Sequence, residues 1–196
     1  MENNENKMSS TESLKIISDM INKTKMNIKE SAFHLLFWGW LITIISLADY
    51  FLAIFHVTEK PWIVWLLTIP GVFVSMIYGF VVGKKQQVYT YADRLYMWIW
   101  LSFLVTTTIL IVYIGSVNLM HLVGPFILLM AAFAVFVSGI VIKFKPLIAG
   151  GISIWIFSLI GFYTGPAISP LAIPAAVITG YLIPGYMLKK TETENG

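Results

Sequence analysis

The side chains of this chain best equipped for chemistry are Asp49, His56, Glu59 and His121. Together they combine carboxylates with imidazoles, the types that bind a divalent cation or a polar external ligand. Their spacing is not that of a metal motif: no His-x-x-x-His pair occurs, and only the fold could bring His121 to the other three. No metal and no cofactor is therefore expected. The competing readings are ordinary residues at a membrane boundary and a structural ion pair such as Asp49 with Lys60.

Two further groups carry polar potential. Thr106, Thr107 and Thr108 place three hydroxyls in an apolar run, where they can bridge helices, line a path for polar cargo, or bond their own upstream carbonyls. Pro174, Gly180, Pro184 and Gly185 permit either a kink that frees carbonyls toward a cavity or close helix packing. His34 reads as a boundary residue rather than a catalytic one. Catalytic signatures are missing: there is no Gly-x-Ser-x-Gly elbow, no His-Glu-x-x-His helix and no Walker-type phosphate loop. With no cysteine, thiolate metal sites and cysteine nucleophiles are excluded as well. The chain does not read as an enzyme.

The elements that must position these residues are membrane helices. Of 196 residues, 58% are hydrophobic and 12% charged, and the mean hydropathy is +0.80, too apolar for an ordinary water-soluble domain. Spanning hydrocarbon takes about 20 apolar residues. Six such runs are present, over 31–56, 62–82, 95–116, 122–142, 147–163 and 171–188. The last two are broken by Gly and Pro, and a five-helix topology is the alternative. The segment before the first run is polar, so no cleavable leader is expected.

Charge sets the expected orientation. Among the thirteen Lys and Arg residues, Lys60 alone falls on the far side of the alternating spans. The rest lie before the first span, at Lys84, Lys85 and Arg94, at Lys143 and Lys145, and at Lys189 and Lys190. By the positive-inside rule both ends are cytoplasmic, including the tail 189–196. Because the basic residues flank spans, they do not form a nucleic-acid face. Spans two to six hold no ionisable residue, and Asp49 lies roughly 26 Å along the first, near its outer end. A proton or sodium relay at mid-depth is not expected. Trp38-Gly39-Trp40 returns 60 residues later as Trp98-Ile99-Trp100, and Lys84-Lys85 is echoed by Lys143 and Lys145. This loose repeat suggests three tandem helical hairpins.

The N-terminal segment, residues 1–30, has its own pattern. Ser9-Ser10-Thr11-Glu12 has the form of a capping box, which predicts a helix over about 10–29. Leu14, Ile17, Ile21, Thr24 and Ile28 then fall on one stripe at helical spacing. Such a helix can lie in the inner headgroup plane, continue the first span as one long helix, or dock on a protein partner or a second copy through Leu14, Ile17 and Ile21.

With its lysine-rich lead, then Ser-Ala-Phe-His-Leu-Leu-Phe-Trp-Gly-Trp and Ala-Asp-Tyr-Phe-Leu, the segment Ser13 to Leu52 resembles a group of small bacterial membrane proteins, chiefly of the Bacteroidota type, that have no assigned activity. The resemblance implies a bacterial inner-membrane location and carries no site residues with it. The expectation is thus an all-α, six-span polytopic protein acting as a non-enzymatic accessory, sensory or regulatory component, its partners being the lipid bilayer and a cytoplasmic protein or second copy. A small-solute carrier or channel is the alternative.

Overall fold

In hydrocarbon every backbone N–H and C=O must be paired within its own segment, so apolar runs of this length fold as helices. The computed structural model describes residues 10–83, 91–117, 119–164 and 169–194, with side chains described within 32–81, 91, 94–117, 119–164 and 169–190. Its elements are α1 (Ser10–Ile54), a 3-10 lead-in (Pro61–Leu67) to α2 (Thr68–Gly83), α3 (Tyr91–Ser116), a 3-10 turn (Met120–Leu122) into α4 (Val123–Val141), α5 (Lys145–Tyr163), and α6 (Ser169–Val177) joined through a π-helical stretch (Ile178–Leu182) to α7 (Ile183–Glu194). Six helices are long and apolar enough to cross a membrane: Ala32–Ile54, Pro61–Val81, Arg94–Ser116, Met120–Val141, Lys145–Tyr163 and Ser169–Lys190. The chain is an all-α polytopic membrane protein.

The spans are not equivalent. In the most apolar stretch of the sixth span, α6 to α7, 56% of residues are buried, against 6% in each of the second and third. The sixth span is central, with α1, α4 and α5 packed around it; α2 leans on α1, and α3 leans mainly on α4. The core is made of Leu35, Leu128, Ala132, Val135, Leu147, Ile154, Ala176 and Val177, drawn from those four spans alone. The repeat in the sequence would pair the spans first with second, third with fourth and fifth with sixth. Packing cuts across that division, because the closest pair is α4 with α5.

Small residues explain that closeness. Lipid tails are as apolar as leucine, so membrane helices associate through close van der Waals fit rather than burial from water. A Cβ on Gly151 of α5 would stand 2.8 Å from the backbone N and Cα of Phe136 on α4, leaving room only for hydrogen. Likewise a Cβ on Gly150 would stand 2.9 Å from the Gly180 carbonyl oxygen. That carbonyl is available because Pro184, four residues on, has no N–H to give it. The wider π turn over Ile178–Leu182, closed by the Ile183 N–H on the Ile178 carbonyl, sits at the same place.

The link between α4 and α5 is short because α4 ends in a Schellman motif. Phe144 N–H donates to the Gly139 carbonyl at 2.9 Å and Lys143 N–H to the Ile140 carbonyl at 3.1 Å. Lys143 takes the left-handed φ of 57° that this cap requires. Pro146 then opens α5, where its missing N–H costs nothing.

Candidate functional site

Of the four ionisable candidates, Asp49 lies within α1, His56 and Glu59 on the connection from α1 to α2, and His121 on that from α3 to α4. Asp49 is half-buried on α1, and its Oδ2 accepts from Trp65 Nε1 at 3.1 Å. Its partner is thus the indole of the 3-10 lead-in. His56 has a backbone role: it occupies the left-handed position, φ 51°, of a Schellman motif closing α1. Val57 N–H donates to the Leu52 carbonyl at 3.1 Å and His56 N–H to that of Ala53 at 3.3 Å. Glu59 is exposed in the same connection. His121 is exposed in the turn before α4. Among the described residues no three of His, Asp and Glu come together as a metal-ligand set.

The threonines separate by face. Thr106 is exposed and lines an outward-opening groove of about 350 Å³ between α3 and α4, with Ser102, Phe103, Met130 and Phe133. Thr108 is exposed too, and its hydroxyl donates to the Leu104 carbonyl at 2.8 Å. Thr107 turns inward with a buried, unpartnered Oγ1. Pro174 and Pro184, by contrast, are buried in the central span, where Pro184 packs on Gly150. The fold does not bring these threonines and prolines onto one route. Leu14, Ile17 and Ile21 fall on the backbone of α1, and their side chains lie outside the described residues.

A group that sequence reasoning missed sits between α1 and α2. His34 and Trp38 are one turn apart on α1, so they share a face. On α2, Ser75 meets both: Trp38 Nε1 donates to Ser75 Oγ at 2.8 Å, and His34 Nδ1 lies 3.4 Å from the same oxygen. Rings enclose the imidazole, Tyr78 at a centroid distance of 5.7 Å and 89° and Phe33 at 5.6 Å and 72°. Phe33 and Tyr78 stack on each other at 3.7 Å. A hydroxyl beside an imidazole is a pair from which nucleophiles are made. Here the Trp38 N–H already occupies a lone pair of Ser75, so the serine serves as a bridge. The signal for this joint was the four-residue spacing of His34 and Trp38; its other half lay in a helix with no Asp, Glu, Lys, Arg or His to draw attention.

Within the bundle other hydroxyls join neighbouring spans, while the buried Ser138 Oγ has no partner among the described residues. Ser158 Oγ donates to the Pro125 carbonyl at 2.9 Å, joining α5 to α4. Ser153 donates to Thr179 Oγ1 at 3.0 Å, joining α5 to the π turn. No family model, curated protein or solved structure matches the chain.

Proposed function

We propose that the chain is a non-enzymatic accessory protein of the sensory or regulatory kind in the bacterial cytoplasmic membrane, engaging a cytoplasmic protein through the N-terminal part of α1. The carrying observation is the continuity of that helix. From Ser10 to Ile54 it has no break, so the stretch before Ala32, about 22 residues or roughly 33 Å, continues the line of the first span. A helix continuous with a span leads away from the bilayer, whereas a surface-lying amphipathic helix needs a bend at the boundary. A helix of that direction supports reading the stripe Leu14, Ile17 and Ile21 as one that seats in a groove on another protein.

Orientation completes the reading. Six crossings return both ends to one face, and the lysines before α1 and at Lys189 and Lys190 assign that face to the cytoplasm. The test is purification of the full chain in a mild lipid-like detergent, with and without Leu14→Ser, Ile17→Ser and Ile21→Ser together, followed by mass spectrometry. The reading expects a stoichiometric protein whose capture by the triple variant falls about a hundredfold, since each buried anchor is worth more than about 1 kcal/mol. Retention of the protein by the variant, or capture of lipid alone, would overturn it. A bound small molecule without a protein would move the assignment to solute transport.

A further inference from the structure

From the geometry of the α1–α2 joint we infer that His34 is a proton-operated latch, holding α2 against the bundle when neutral and releasing it when charged. The second span is the one with least to hold it. It packs principally on α1 and its own 3-10 lead-in, and it contributes nothing to the buried core. Gly71, against Leu41, is its one buried residue among those whose side chains are described. The polar attachments to α1 among the described residues include the Asp49–Trp65 bond beside one end of α2 and the bridge at Ser75. In a bilayer such bonds weigh more than the apolar contacts around them, which lipid can replace.

Ser75 has one proton to give. With Trp38 N–H filling one lone pair, the hydroxyl proton is free to donate to Nδ1 in the neutral tautomer of His34 that carries its hydrogen on Nε2. Protonation puts a hydrogen on Nδ1, so the ring can meet Ser75 only as a second N–H donor beside Trp38, and the serine proton must leave the joint for another acceptor. The charge then sits between the rings of Phe33 and Tyr78. A cation in such surroundings is driven toward water. Water is close, because His34 is the third residue of its span. Tyr78 is the titratable group facing the imidazole from α2, and the nearest charged positions along α1 are Lys29 and Glu30, Glu30 one turn before His34.

The chain has no cysteine, so paired labels can be placed without removing any residue chemistry. Spin labels at Ile77→Cys on α2 and Ile156→Cys on α5, both exposed positions, report the α2-to-core distance in liposomes. A second pair at Ile44→Cys and Phe133→Cys reports the α1–α4 distance within the core bundle. Between pH 8 and about pH 5, the range over which histidine charges, the first distance is expected to move by about 2 Å or more while the second holds. His34→Gln should abolish the movement, and Ser75→Ala should show the low-pH distance already at pH 8. A first distance that ignores pH, an equal response in His34→Gln, or matched movement of the core pair would each overturn the latch.

Discussion

A left-handed residue closing a helix is ordinarily glycine, because a Cβ there meets the following carbonyl. In this chain α1 and α4 both close on residues with side chains, His56 at φ 51° and Lys143 at φ 57°. Both therefore carry backbone strain. Replacing His56 with Gly is expected to raise stability by up to about 1 kcal/mol, and His56→Val to lower it by a similar amount, because a β-branched side chain tolerates this region worst. Unfolding in mixed micelles by titration with a denaturing detergent measures both, and a stabilised His56→Val would refute the cap. The sequence makes His56 conspicuous for its imidazole, but the cap depends on a dihedral angle that no spacing reveals. Asp49 was legible in position, near the C-terminal end of its span, and not in partner, since Trp65 reaches it only through the 3-10 turn.

Among elements, the spans themselves were readable because hydrocarbon demands length and apolarity in one continuous run. Their fine structure was not. Pro184 announces that the Gly180 carbonyl loses its helical donor, but whether that carbonyl turns to a cavity or to a neighbouring helix depends on what stands opposite. Gly150 stands opposite, and the break becomes a packing joint. The same reasoning makes Gly151 a sensitive position. Gly151→Val forces a side chain against the Phe136 backbone, which cannot rotate aside, and should cost about 1 to 3 kcal/mol. A variant unfolding at the same detergent fraction as the natural chain would mean that α4 and α5 are further apart than described. Gly79 of α2, with nothing within 4 Å of its Cβ position, is the matched control that should accept Ala freely.

At the scale of the molecule, four spans form the core and two flank it. Neither hydropathy nor the repeat shows this, because all six spans are comparably apolar and the aromatic and basic belts recur in each for reasons of topology. The division is visible only in which faces meet. It predicts unequal tolerance: Ile154→Ala, at a fully buried position, should cost about 2 to 5 kcal/mol, whereas Ile77→Ala on the exposed face of α2 should change stability by no more than about 0.5 kcal/mol. Equal losses in the two variants would mean that α2 is covered by protein.

The contacts of α1 also bear on how the molecule is made. Its inner face fits the sixth span: Gly39 lies against Leu182 and Tyr181, Leu35 and Leu36 close on Gly185, and Trp40 Nε1 donates to the Tyr186 hydroxyl at 3.0 Å. For these contacts α1 thus waits for the sixth span to leave the ribosome. Until residues 169–190 are synthesised, α1 has only α2 beside it, while α4 and α5 can join as soon as both have emerged. The seam between α1 and the sixth span closes late, so a chain cut short before Ser169 presents the quality-control machinery with an open face along α1.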